Sequence, residues 1–203
     1  MTETRVVRVD PAAPEGAALG HAAAVLKHGG VVAFPTETFY GLGAAALDGR
    51  AVRRIFELKG RPETKPLLVL ADSIEMADTI AELGDRARSL AARHWPGALT
   101  LVVPARAHVP KDVTAGTGTV GVRVSSHPVA QGLVRALGGP LTAPSANPSG
   151  LEPATTAAGV LAHFQGAIEM ILDGGAAPGG EPSTVLDLTV EPPRVLRQGA
   201  VSV

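Results

Sequence analysis

Cysteine is absent from this 203-residue chain, which rules out disulfides, thiolate nucleophiles and thiolate metal sites. Aromatic residues make up only 3 %, with one Trp and one Tyr, so the chain offers little stacking platform for single-stranded nucleic acid. Charge of one sign is missing too: 18 basic and 19 acidic residues leave a net charge of −1, and no global field draws polyanions in. Lysine is confined to Lys27, Lys59, Lys65 and Lys111. No apolar run reaches membrane-spanning length, and MTETRVVRVD lacks the apolar stretch of a secretory signal, which predicts a soluble, cytoplasmic chain without membrane contact. No G-x-x-x-x-G-K-[ST], G-x-S-x-G or H-E-x-x-H occurs, and the six histidines are scattered without ligand spacing, so no metal-binding residue is assigned. With 45 % apolar and 18 % charged residues, the remainder is ordinary globular composition.

What is present is an alternation of strand-like and helix-like stretches. RVVRV (5–9), VVAF (31–34), LLVLA (67–71), LTLVV (99–103), TVGVRV (119–124), PLTA (140–143), IEMILD (168–173), STVLDL (183–188) and RVLR (194–197) read as strands. Helical spacing covers about 14–28, 48–58, 73–82, the segment from Asp85 to Pro96, 128–137 and 155–164, with Asp48, Asp72 and Asp85 as expected caps. This pattern predicts an α+β (mixed α/β) fold, a mostly buried mixed sheet with helices on both faces, and function in the loops at strand ends. Residues 35–43 read as such a loop. The G-x-G-x-x-A at Gly41 to Ala46 stands too far from the preceding strand for a dinucleotide fingerprint.

Two loops carry chemistry. Lys59-Gly60-Arg61-Pro62-Glu63-Thr64-Lys65 places three cations at a helix end. Compensation of the helix dipole explains one of them; a phosphate or carboxylate site explains all three. Ala143 to Gly150 presents Ser145 and Asn147 between stiff prolines after a strand, and reads either as a turn or as a ligand loop. Arg123 and Arg197 are charges inside apolar strands, and each must reach solvent at an edge or meet an anion.

PTETFYGLG, KGRP, TVGVRV, PSANPSG, STVLDL and VLRQG stand in the order and spacing of the threonylcarbamoyl-AMP synthase family, the YrdC-like domains, which the chain resembles over about 29–199. The resemblance implies a twisted mixed sheet around a deep basic cavity and a single domain over 1–203, similar to the short form without an extra C-terminal domain. It also implies an L-threonylcarbamoyladenylate synthase, a nucleotidyltransferase. Threonine and bicarbonate or CO2 give N-carboxythreonine, which attacks the α-phosphate of ATP, with Mg2+ on the pyrophosphate oxygens and pyrophosphate leaving. Its partners would be a downstream tRNA threonylcarbamoyl transferase complex, in N6-threonylcarbamoyladenosine synthesis, and a weak RNA contact. By the same resemblance Lys59 and Arg61 are the catalytic cations. Lys59, Arg61, Lys65, Thr119, Ser145, Asn147 and Arg197 serve ATP, while Thr36, Thr38, Arg123, Ala143 and Ser183 serve threonine.

Departures from the family pattern are Ser125 and Ser126 where a proline is common, Leu70 where longer members carry a threonine-contacting histidine, and Phe39 in place of a smaller aliphatic residue. The alternatives are a related carbamoyl-adenylating enzyme and a non-catalytic RNA-binding module of the same fold.

Overall fold

The computed structural model describes residues 3–60 and 66–203. In chain order the elements are β1 (Arg5–Arg8), α1 (Gly16–Lys27), β2 (Val32–Pro35), β3 (Tyr40–Gly43), α2 (Gly49–Lys59) and β4 (Leu68–Ala71). There follow α3 (Ile74–Ile80), α4 (Asp85–His94), β5 (Leu99–Pro104), α5 (Lys111–Thr114), β6 (Thr119–Val124) and α6 (Pro128–Leu137). The chain closes with β7 (Leu141–Thr142), α7 (Ala157–Phe164), β8 (Met170–Asp173), β9 (Thr184–Asp187) and β10 (Arg194–Arg197).

The predicted α+β class holds, but the strands form two sheets rather than one. One has four strands in the order β1-β8-β2-β3, and the other six in the order β10-β9-β5-β6-β4-β7. Both mix parallel and antiparallel pairs. The second correction concerns 35–43, read as a loop: Tyr40–Gly43 is a strand, antiparallel to β2. Glycine is required there by close packing. A Cβ at Gly43 would lie 2.9 Å from Phe34 Cε1 and 3.0 Å from Leu141 Cδ1. Gly43 of the G-x-G-x-x-A therefore serves contact between layers, while Gly41 lines a cavity described below.

Helix starts follow capping chemistry with two shifts from expectation. Asp48 caps α2 as predicted, accepting from the N–H groups of Arg50 and Ala51. Ser73, not Asp72, caps α3 by accepting from Met76 N–H, and Gly84 precedes α4, leaving Asp85 in its first turn to favour the dipole.

Two apolar clusters hold the layers. In one, α1 and α6 pack on the four-stranded sheet through Leu19, Leu26, Leu133, Phe34 and Leu172. In the other, α2, α4 and α7 surround inward residues of the six-stranded sheet. Period-2 alternation decides what faces this core: Leu99, Leu101 and Val103 on β5, and Val120, Val122 and Val124 on β6. The intervening residues, Thr100, Val102, Thr119, Gly121 and Arg123, therefore face the other way, into a cavity.

Candidate active site

That cavity encloses about 410 Å³. Its floor is the outer face of β5, β6 and β9, with Thr100, Thr119, Gly121, Arg123, Ser183 and Asp187 among its linings. The loop before β3 supplies Thr36, Thr38 and Phe39, and the segment after β7 supplies Ala143 and Ser145. Arg197, from the exposed edge strand β10, closes one side. Eight of the residues singled out in the sequence thus meet in one hollow: Thr36, Thr38, Thr119, Arg123, Ala143, Ser145, Ser183 and Arg197.

Arg123 is the electrostatic centre. Its residue is 2 % exposed, and its position on β6 fixes its stem between buried strands. Its Nη1 lies 3.4 Å from Glu37 Oε1, an ion-pair distance without hydrogen-bond alignment, and both its Nε and Glu37 Oε1 are buried without a hydrogen-bond partner. Glu37 is held from its other oxygen, Oε2, which accepts from Ser125 Oγ. Burial pushes the guanidinium below its usual range and Glu37 opposes this. Arginine has no neutral escape at ordinary pH, so an anion entering from the cavity relieves a standing penalty.

Polar neighbours are arranged around it. Thr36 Oγ1 donates to Phe39 O at 2.7 Å and sits 3.1 Å from Thr38 Oγ1, which locks the loop over the floor. Ser183 is a junction: its Oγ is 3.0 Å from Thr100 Oγ1, and Arg197 donates to its Oγ at 2.9 Å and to its carbonyl at 3.0 Å. Thr119 Oγ1 is 2.9 Å from Thr117 Oγ1.

Lys59 and Asn147 are placed differently. Lys59, 4 % exposed at the end of α2, donates from Nζ to the carbonyls of Ser145 and Asn147 at 2.5 and 2.7 Å. Its own carbonyl accepts from Ser149 N–H at 2.7 Å. The lysine therefore shapes the 145–149 loop from beneath. Asn147 donates through Nδ2 to Leu151 O at 2.6 Å and to Pro148 O at 3.0 Å, and its Oδ1 is buried with no hydrogen-bond partner. Arg61 and Lys65 lie outside the described residues, so of the two residues expected to be catalytic Lys59 alone is placed.

A charged lining residue also escaped the sequence reading. Asp187, at the end of β9, is buried in the cavity wall. Burial disfavours its ionised form, but hydrogen bonds from Thr189 Oγ1 and N–H and the Arg194 charge outweigh this and hold its carboxyl below the usual range. Leu70, where the resemblance places a histidine in longer members, is fully buried in the core formed with α1 and α6. Phe39 does line the cavity. Among the described residues no helix is long and apolar enough to cross a membrane, and no group of three or more His, Cys, Asp or Glu is arranged to hold a metal.

A cavity with a buried arginine at its floor, ringed by hydroxyls and stiff loops, defines a binding site for a small carboxylate or phosphate ligand. Residues 24–199 match the Sua5/YciO/YrdC family model, described as "Telomere recombination", and the chain belongs to that family. It is 49 % identical over 181 residues to a threonylcarbamoyl-AMP synthase of Pyrococcus abyssi, covering 89 % of this chain and 53 % of that one. With the Bacillus subtilis synthase identity is 46 % over 188 residues, covering 91 % and 54 %. The chain thus spans about half the length of these two relatives. A synthase of Halorhodospira halophila is 41 % identical, covering 82 % of this chain and 88 % of its own. The crystal structure of P. abyssi Sua5 complexed with L-threonine superposes with a TM-score of 0.93 at 46 % identity, over 97 % of this chain and 58 % of that one.

Proposed function

We propose that the cavity converts L-threonine, bicarbonate or CO2, and ATP into threonylcarbamoyl-AMP and pyrophosphate, supplying the activated group for tRNA modification in the cytoplasm. The observation that carries this is Arg123: a buried, incompletely hydrogen-bonded guanidinium in a cavity floor, in a chain 46 % identical to a protein crystallised with L-threonine. Arg123 takes the threonine carboxylate in a fork, and Thr36, Thr38, Ala143 and Ser183 orient the rest of the amino acid. The amine, as its free base and held away from the arginine, adds to the carbon of CO2 and gives up one proton to solvent, becoming a carbamate. One carbamate oxygen then attacks the α-phosphorus, a C–O–P link forms, and the bond to pyrophosphate breaks.

No side chain forms a covalent link in this scheme; placement and charge compensation do the work. Ser145, Asn147, Thr119 and Arg197 accompany the nucleotide, with Arg61 and Lys65 assigned the phosphates by resemblance. Lys59 contributes by holding the Ser145–Asn147 loop in shape. Mg2+, arriving with ATP, would offset phosphate charge. Asp187 fits poorly as a metal ligand, since one oxygen already takes two hydrogen bonds from Thr189 and the other faces Arg194.

The test is incubation of the purified protein with ATP, threonine, bicarbonate and Mg2+, followed by mass spectrometry. Threonylcarbamoyl-AMP should appear with threonine-dependent pyrophosphate release. Pyrophosphate release that is indifferent to threonine, or that needs carbamoyl phosphate instead, overturns the assignment.

A further inference from the structure

Asp187 lines the cavity but has no role in the scheme above. Asp187 pairs in register with Val102, and Val102 with Gly121; Arg123 lies two residues further along β6. Two strand spacings and two residues of rise separate Asp187 from Arg123 by roughly 12 Å between Cα atoms. Arg123, paired with Glu37, and Asp187, paired with Arg194, therefore stand at separate ends of the floor.

Each carboxylate oxygen of Asp187 has a distinct task. Oδ1 accepts from Thr189 N–H at 2.9 Å and Thr189 Oγ1 at 2.6 Å, which fixes the turn after β9. Among the described residues Oδ2 has one polar contact, the 3.4 Å pair with Arg194, whose side chain is 66 % exposed. That leaves acceptor capacity on Oδ2. Locking a turn requires only a neutral acceptor, which asparagine supplies equally well. A buried carboxylate in a hollow meant for polyanions needs another reason, because it repels phosphate and attracts neutral N–H and O–H donors.

We infer that Asp187 is a specificity-determining residue that accepts hydrogen bonds from the nucleoside half of the nucleotide and so orients ATP with its phosphates away from β9. Thr119 and Thr189 line the same end and add hydroxyls for the same ligand portion. The inference rests on the nucleotide reading of the site. The donors are of one chemistry, a neutral N–H or O–H, and belong either to the exocyclic amine of adenine or to the ribose diol.

The test is direct binding to the intact protein by calorimetry, which requires no turnover. Wild-type protein should bind ATP with Mg2+ about tenfold or more tightly than one of two analogues. ITP replaces the amine with a carbonyl, and 2′,3′-dideoxy-ATP removes the diol. Loss with either analogue supports the inference and names the donor. Asp187→Asn, which keeps the Thr189 turn, should weaken ATP by a similar factor while inorganic triphosphate binds as before. Equal affinity for ATP, ITP and 2′,3′-dideoxy-ATP, or unchanged ATP affinity in Asp187→Asn, overturns the inference while leaving the synthase assignment intact. Failure of wild-type protein to bind any nucleotide overturns the synthase assignment itself.

Discussion

Replacing Lys59 by methionine separates the loop-building role of this lysine from any direct part in phosphate chemistry. The change keeps the side-chain length and removes the ammonium that donates to the carbonyls of Ser145 and Asn147. The two carbonyls fare differently. Ser145 O keeps a hydrogen bond from Asn147 N–H at 3.0 Å, so its loss is partial. Asn147 O loses a charge-assisted donor, and an abandoned buried acceptor costs about 1–3 kcal/mol. Relief of the ammonium's own desolvation offsets part of the total. A net destabilisation of about 1–3 kcal/mol follows, or a fall in thermal midpoint of roughly 2–12 °C for a domain of this size. Unfolding can be followed through the fluorescence of Trp95, the chain's single tryptophan, whose Nε1 donates to Leu99 O in the sheet. Turnover should fall together with stability, and ATP affinity should fall because Ser145 moves. A variant with wild-type melting and normal ATP binding refutes the strut; one with wild-type melting but lost turnover shows that Lys59 acts on phosphate alone.

Other outcomes are also fixed by the geometry. Arg123→Lys keeps a charge but loses the fork, and should raise the KM for threonine by about 10- to 100-fold while leaving the KM for ATP within a factor of about three; steady-state kinetics with each substrate varied decides this. Gly121→Ala places a methyl 3.4 Å from Thr100 Cγ2 and 3.9 Å from Val102 Cγ2, ordinary contacts, so the melting temperature should hold or rise while ligand affinity drops, as calorimetry would show. Tyr40 is the chain's single tyrosine, and burial followed by the Asp173 charge pushes its phenol up to about 12. Absorbance at alkaline pH should therefore show no ionisation near 10 in the folded protein. Because the folded value exceeds the unfolded one, the associated stability is present below pH 10 and is lost as pH rises towards 12.

Much of the site was readable because the floor strands alternate. In TVGVRV the three valines alternate with Thr119, Gly121 and Arg123, and in the structure the valines enter the core while the others face the cavity. The same rule, a charge among apolar strand neighbours, singled out Arg123 and Arg197. Arg123 turned out to be buried in the floor, whereas Arg197 sits on the exposed edge strand bound to Ser183. Asp187 in STVLDL obeys that rule equally and was passed over as part of a buried strand. Lys59 was read as a cation for ligand; its carbonyl partners lie 86 and 88 residues away and leave no local trace. The division into two sheets was hidden for the same reason, since pairings such as β1 with β8 depend on the whole chain. Tyr40–Gly43 has two glycines in four residues, a composition that masks a strand whose glycines are demanded by neighbouring side chains.

The hollow draws its wall from segments as far apart in sequence as Thr36 and Arg197. During synthesis the hollow is therefore incomplete until the segments bearing Ser183 and Arg197 have followed Arg123 out of the ribosome. Occupancy by substrate then clasps early and late segments together, so a saturating ligand protects the entire molecule against proteolysis instead of one loop.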